Sequence, residues 1–142
     1  MTFDAEPILA AAWAVASADA SWLTKSRNLL HWADVPASGR PALFQSLKSV
    51  SVRPLGRGVT ALRELRLTYT IYTAHTGATV AQTTLVNAIA VLADTFAPLP
   101  GFETQRLGGL AYSAAIDGEI ETDEGTLGTD AVAFVPVLLV VG

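Results

Sequence analysis

A run of acidic residues near the end of the chain is its densest group of side chains that could do chemistry. It comprises Asp117, Glu119, Glu121, Asp123 and Glu124. If the segment is a strand, the first four side chains share one face, about 6–7 Å apart at each step. A divalent cation needs oxygen ligands that converge to about 2.3–2.6 Å from one point, which a straight strand alone does not provide. The pattern favours a solvated acidic face, with an acidic interface, a channel lining and a metal site as alternatives.

The rest of the chain offers few reactive side chains. It has no cysteine, which excludes a thiolate nucleophile, a thiolate metal site and a disulfide. His31 and His75 are far apart, and neither has an acid at a metal-ligand spacing. The sequence contains neither a Gly-x-Ser-x-Gly elbow nor a glycine-rich phosphate loop followed by Lys-Ser/Thr. We therefore expect a protein that is not an enzyme and that uses no cofactor and no metal.

The basic residues are separated from this acidic group along the chain. Residues 25–66 contain eight of the nine Lys and Arg residues, among them Arg53, Arg57 and Arg66, whereas residues 117–142 contain six acids and no base. The net charge of −4 argues against a protein that reads DNA sequence. The charge separation predicts either a contact between unlike surfaces of two copies or neutralisation within one fold.

Length and composition predict one domain over residues 1–142. The chain is 51% hydrophobic and 15% charged, which is enough apolar material for a core and too little charge for disorder. The apolar share is high for a small chain. Either partner subunits cover part of the apolar surface, or the many alanines raise the share. The first seven residues carry two acids and no Lys or Arg, so we expect no secretory signal. The apolar run 131–141 is too short for a membrane helix and predicts a buried strand.

Apolar residues at helical spacing predict two helices. The first has Asp4 as its N-cap and Pro7 in its first turn, and it ends near residues 17–20. The second begins at residue 78 or 79 and is stopped by Pro98.

Strands are predicted between and after the helices. A short strand or extended segment covers residues 27–32, and longer strands cover 42–52 and 59–73, the last with clear alternation. Residues 110–121 and 131–141 form a long hairpin. The fold class is α+β, a mostly antiparallel sheet of four to five strands with two helices packed on it.

The closing strand carries two signals that conflict within a monomer. It is apolar on both faces, so it should be central or covered by a neighbouring molecule. Pro136 cannot donate a ladder hydrogen bond, which points instead to an edge or a bulge. A subunit interface reconciles the two signals, and an aspartate at Val137 is then expected to prevent assembly. The predicted subunit or lumen surface comprises Arg53, Arg57, Arg66, Asp117, Glu119, Glu121, Asp123, Glu124, Pro136 and Val137.

Three parts of the sequence carry a family pattern. They are Leu29–Pro36 followed by Arg40–Phe44, then Gln105–Leu110 running into Ile116–Gly125, and the ending Ala131–Val137. Together they resemble the tail terminator, or tail completion, proteins of long-tailed bacteriophages and related gene-transfer particles. The resemblance spans roughly residues 4–140, and the acidic hairpin and the Val-Pro strand are its most telling parts.

The resemblance implies a homohexameric ring that sits on the last ring of the tail tube, stops tube growth and offers a surface to the head-tail connector. The implied partners are other copies of the chain, the tail tube protein and the connector protein, with DNA only as passing cargo and no membrane. The implied location is the head-proximal end of the virion tail, and the host cytoplasm during assembly. The family has no catalytic residues to transfer. The acidic face could line the lumen, where like charge keeps passing DNA from sticking.

Three other functions fit the same sequence. The chain could be another tail or neck component, namely a tube subunit or a connector. It could be a small-ligand binding domain whose pocket lies between the sheet and the helices, which predicts a monomer or dimer. It could also be a metal-dependent hydrolase that uses the acidic hairpin.

Overall fold

The computed structural model describes residues 4–53, 61–74, 81–98, 100–101, 105–123 and 130–142. The described elements, in chain order, are helix α1 (Glu6–Ala16), strands β1 (Thr24–Ser26), β2 (Ala42–Arg53) and β3 (Leu62–Ala74), helix α2 (Ala81–Thr95), and strands β4 (Ser113–Ile116), β5 (Glu121–Asp123) and β6 (Asp130–Val141). The sheet order is β1-β2-β3-β6-β4, and β5 also pairs with β6. All of these pairings are antiparallel except β1 with β2. The predicted α+β class is confirmed, with six strands rather than four to five.

Both predicted helices are present, and each buries one stripe of side chains. In α1 the stripe is Ile8, Ala12 and Ala16, at i, i+4 and i+8. In α2 it includes Leu85 and the fully buried Leu92, and it continues at Phe96, one residue past the end of the helix. The stripes pack on one face of the sheet and form the main core with it. This periodicity implies that the helices pack on one face of the sheet, because each apolar stripe must be covered to be removed from water.

The start of α1 differs in detail from the prediction. Ala5, not Asp4, occupies the N-cap position and makes no side-chain cap. Asp4 lies one residue earlier, where its Oδ1 accepts the backbone N–H of Glu6 at 3.0 Å. The carboxylate thus still satisfies one of the free N–H groups of the first turn. The predicted end is confirmed, since Ser17 is the C-cap.

Strands β3 and β6 form the centre of the sheet and pair along nearly their whole lengths. Their helix-facing residues stand opposite one another, as in the pairs Leu67–Val137 and Tyr69–Val135, and all four are at most 1% exposed. Tyr69 donates its hydroxyl to Oε1 of the buried Gln45 at 2.6 Å, and burial raises the pKa of Tyr69. The period-two pattern of β3 is therefore confirmed as one face turned to the core.

The conflict over the closing strand is resolved inside the monomer. Strand β6 is central, with β3 on one side and β4 and β5 on the other. The carbonyl of Pro136 accepts the backbone N–H of Asp117 at 3.0 Å, between the end of β4 and the start of β5. In an antiparallel strand the N–H and C=O of one residue point toward the same neighbour, so the missing N–H of Pro136 faces this break rather than β3. Pro136 thus needs no neighbouring molecule to explain it.

The same break corrects the prediction of one continuous strand over residues 110–121. The segment pairs with β6 as β4 and again as β5, and residues 117–120 between them belong to no strand. Gly118 has a φ of +112°, which side-chain-bearing residues rarely adopt. The hairpin is therefore present but interrupted opposite the proline.

The short strand predicted at residues 27–32 is wrong, since β1 lies earlier, at Thr24–Ser26, and pairs with the start of β2. Local side-chain contacts explain the difference. Ser26 Oγ accepts the backbone N–H of Asn28 at 2.9 Å, and the Arg27 guanidinium pairs with the Glu6 carboxylate. Such local bonds compete with a sheet ladder and turn the chain away from it.

Candidate functional site

The side of the sheet that faces away from the helices is called here the open face. One end of it is covered by a small apolar cluster that contains Phe44, Tyr72 and Val132, packed under Val35. Beyond this cluster the open face presents Arg66, Thr68, Phe134, Pro136 and Leu138, which the strand register places on one side. Phe134 is 40% exposed. The open face is thus a mixed polar and apolar surface at the centre of the sheet.

A series of ion pairs crosses the open face. Arg66 Nη1 lies 3.1 Å from Asp117 Oδ2, and Arg66 Nη2 lies 4.0 Å from Glu64 Oε2. Glu64 in turn pairs with Arg53 at 3.0 Å. The basic middle and the acidic end of the chain therefore meet within one fold, which is one of the two outcomes that the charge separation allows. Exposed pairs of this kind contribute about 0–1 kcal/mol each, so they orient the side chains more than they stabilise the domain.

A cavity of about 260 Å³ lies beside these pairs. Lys48, Asp117, Glu119 and Glu121 contribute to its walls, and Pro136 lies beneath them. Among the described residues, neither Glu119 nor Glu121 has a hydrogen-bond or ion-pair partner, and the same is true of Lys48. Within the same part of the chain, no three His, Asp or Glu side chains are grouped so that they could hold a metal ion.

Lys48 is a member of this surface that the sequence did not reveal. The register between β2 and β3 shifts between Leu47 and Ser49, so Lys48 has no partner residue on β3. At this bulge Lys48 and Ser49 follow one another on the open face, since Ser49 stands opposite Arg66 and Lys48 lines the cavity there. The weak alternation of residues 42–52 is the only trace of it in the sequence.

The outer side of β2 forms one edge of the sheet. Strand β1 pairs only with Ala42–Phe44, so residues 45–53 have no described strand on their outer side. Three apolar side chains here are half exposed: Leu47 at 50%, Val50 at 50% and Val52 at 59%. Their partners on β3 are Leu67, Leu65 and Arg63, which places them on the helix side of the sheet. We call Leu47, Val50 and Val52 the β2 edge.

The opposite edge of the sheet is formed by β4 and β5, and Gln105 covers part of β4, since the Gln105 carbonyl accepts the backbone N–H of Ala114 at 2.8 Å. Tyr112 extends the β4 ladder by one residue, because its N–H donates to the Val140 carbonyl at 2.8 Å. Tyr112 is 56% exposed and Leu110 48% exposed. Glu119 and Glu121 are also exposed, but they line the open-face cavity together with Lys48. We call Leu110 and Tyr112 the β4–β5 edge.

The other residues of the predicted subunit or lumen surface differ in their exposure. Val137 is 1% exposed and belongs to the main core, so its place in a surface set is wrong. Pro136 and Asp123 are half-buried and Arg53 is exposed. Arg57 and Glu124 lie outside the described residues.

A second cavity, of about 190 Å³, lies between the end of β3 and α2, where a small-ligand pocket was predicted. Its walls include Arg40, Thr73, Thr84 and Asn87. Arg40 is buried and donates from Nη2 to the Val35 carbonyl at 2.9 Å and from Nη1 to the Thr73 carbonyl at 3.2 Å. These bonds tie the entry of β2 to the end of β3, which is a structural role for the guanidinium.

His31 has a local structural role. His31 is exposed, and its Nδ1 accepts the backbone N–H of Ala33 at 3.3 Å. This local bond stabilises the short helical turn at Trp32–Asp34. His75 lies outside the described residues. None of the described helices has the length and apolar character needed to cross a membrane.

Comparison with solved structures finds chains of similar fold. Neither protein-family models nor curated proteins match the chain. A solved structure of the virion of a native gene transfer agent particle contains a chain of the same fold, with a TM-score of 0.59 and 15% sequence identity. The match covers 99% of this chain and 100% of that chain. The two proteins therefore share a complete fold.

Proposed function

We propose that this chain is a virion assembly protein that forms a ring on the end of a tail tube, stops tube growth and presents a surface to the head-tail connector. The observation that carries the proposal is the fold shared over both full lengths with a chain of a gene transfer agent virion. The sequence resemblance to tail terminator proteins narrows this to the terminator position at the head-proximal end of the tail. Assembly would take place in the host cytoplasm.

The two sheet edges support a ring. They lie on opposite sides of one sheet, and both carry exposed apolar side chains. A contact between unlike edges is heterologous, and repeated copies of such a contact close into a ring when the rotation between subunits is right. The resemblance sets the expected number of copies at six. This role needs no catalytic group, no cofactor and no metal.

A tube-capping experiment tests the proposal. A tail tube protein from the source of this chain would be polymerised in vitro, with and without the purified chain, and tubes would be measured in negative-stain images. We expect tubes that stop growing and carry one additional ring at one end. Tubes that incorporate the chain along their length would make it a tube subunit, and tubes of unchanged length without end density would remove the terminator role.

The cavity beside Arg40 favours a second candidate, a small-ligand binding domain. Because that function needs no assembly, it predicts a monomer or dimer. The oligomeric state thus separates the two candidates.

A further inference from the structure

We propose that Asp117 is a site of spontaneous main-chain modification, at which the chain closes a succinimide ring with Gly118 and reopens it to isoaspartate. The ion pair between Asp117 and Arg66 restrains this reaction. The modification consumes nothing but water. It goes beyond the proposed function and does not depend on it.

Asp117 is followed by the residue type that hinders this reaction least. The main-chain nitrogen of the following residue is the nucleophile, and a side chain on that residue obstructs its approach to the aspartate carboxyl carbon. Gly118 has no side chain. The sequence contains one Asp-Gly pair, and neither of its two asparagines, Asn28 and Asn87, precedes a glycine. The sequence therefore singles out Asp117 for this chemistry.

The fold leaves the Gly118 nitrogen available. Residues 117–120 lie between β4 and β5, at the interruption opposite Pro136. Asp117 is held there, since its N–H donates to the Pro136 carbonyl at 3.0 Å. Within the described residues, the Gly118 N–H donates to no hydrogen-bond acceptor. The Gly118 nitrogen can therefore turn toward the Asp117 carboxyl group without the loss of a backbone hydrogen bond.

Water reaches the same position. The Asp117 side chain is 52% exposed. Asp117 and Gly118 both line the cavity of about 260 Å³ on the open face. Because the succinimide is opened by water, this exposure allows the second half of the reaction in the folded chain.

Arg66 opposes the first half of the reaction. Its Nη1 lies 3.1 Å from Asp117 Oδ2, in an ion pair that restrains the carboxylate. Ring closure requires the carboxyl carbon to turn toward the Gly118 nitrogen, and the ion pair must open for this to happen. An exposed ion pair is weak, so it slows the reaction without preventing it.

The reaction balances without an oxidant, a reductant or a second substrate. The Gly118 nitrogen bonds to Cγ of Asp117 and loses its hydrogen, while the carboxylate takes up a proton and releases one oxygen as water. Water then cleaves either bond from the ring nitrogen to a ring carbonyl, which restores aspartate or gives isoaspartate. In isoaspartate the main chain passes through Cβ and Cγ, and the carboxylate is attached directly to Cα. The added main-chain atom lies in the interruption, where it breaks no pairing of β4 or β5 with β6.

Labelled water tests the proposal. The purified full chain would be incubated at neutral pH in water that contains heavy oxygen and sampled over several weeks. Each ring opening introduces one heavy oxygen atom, and electron-transfer fragmentation distinguishes isoaspartate from aspartate. The tryptic peptide that follows Arg106 contains Asp117, Asp123 and Asp130, so the last two are internal controls. We expect label and isoaspartate at Asp117 well above both controls, with an unchanged circular dichroism spectrum.

Three variants test the role of each group. Arg66→Gln should accelerate labelling at Asp117 several-fold, because the ion pair is removed. Arg27→Gln removes an ion pair with Glu6 that does not involve Asp117, so the rate should stay that of the wild type. Asp117→Glu keeps the carboxylate but requires a larger ring, which should end labelling at this position.

The outcomes separate this modification from the ring. Labelling at Asp117 no faster than at Asp130, in both the wild type and Arg66→Gln, would overturn the proposal. Equal rates in the wild type and Arg66→Gln would overturn the restraint by Arg66. Neither result changes the mass of the assembled particle, which tests the proposed function.

Discussion

Replacing Val137 with aspartate is expected to unfold the chain, not merely to prevent its assembly. Val137 is 1% exposed, sits on the central strand β6 and faces the core opposite Leu67. The Val137 side chain lies among the apolar residues of the main core, where a carboxylate would be removed from water. An uncompensated buried charge costs about 3–5 kcal/mol, which is a large part of the stability of a small domain. We expect a loss of the cooperative unfolding transition, monitored by circular dichroism in urea.

Leu138→Asp provides the matched control. Leu138 is the next residue, but it points to the open face, where it is half-buried and stands opposite Arg66. A carboxylate there remains in contact with water, so the urea midpoint should fall far less than for Val137→Asp. If the two variants unfolded at the same urea concentration, the assignment of β6 faces would be wrong.

Replacing Arg40 with lysine is expected to cost about 2 kcal/mol of unfolding free energy, because hydrogen bonds to charged groups contribute about 1.5–3 kcal/mol each. The guanidinium donates from Nε and Nη2 to the Val35 carbonyl and from Nη1 to the Thr73 carbonyl, and it lies 5.8 Å from the centre of the Tyr72 ring. A lysine ammonium lacks the planar fork that holds both carbonyls at once. Urea unfolding of Arg40→Lys measures the loss.

Arg106→Lys is the control for the arginine. Arg106 Nε donates to the Tyr112 carbonyl at 3.2 Å from a more exposed position, so its replacement should cost less than about 1 kcal/mol. An Arg40→Lys variant as stable as the wild type would show that the guanidinium does not hold β2 to β3.

The parts of the fold that the sequence predicted are those set by local periodicity. The apolar stripe of α2 and the alternation of β3 each repeat several times, so they specify an element and the face it buries. The short strand β1 could not be predicted, because three residues carry no period and their pairing with β2 depends on distant parts of the chain. The break opposite Pro136 likewise depends on which strand lies beside the proline.

The sequence predicted which exposed positions carry charge, but not which charged residues form ion pairs. Alternation correctly placed Glu119 and Glu121 at exposed positions. It could not show that Arg66 reaches Asp117 within one copy, since this contact joins residues far apart in sequence. Val137 was assigned to an interface because its strand is apolar on both faces. Such a strand has the same sequence pattern whether other parts of its own fold or a second copy cover it. The β2 edge was missed because the Lys48 bulge weakens the alternation.

The mass of the purified wild-type chain in solution, measured by light scattering over a wide concentration range and paired with negative-stain images, tests the central claim most directly. If unlike sheet edges cover one another, the particle should be a closed ring of six times the 14.9 kDa subunit mass, with no open filaments. A chain that stays monomeric at the highest concentration, and also fails to bind tail tubes, would contradict the account.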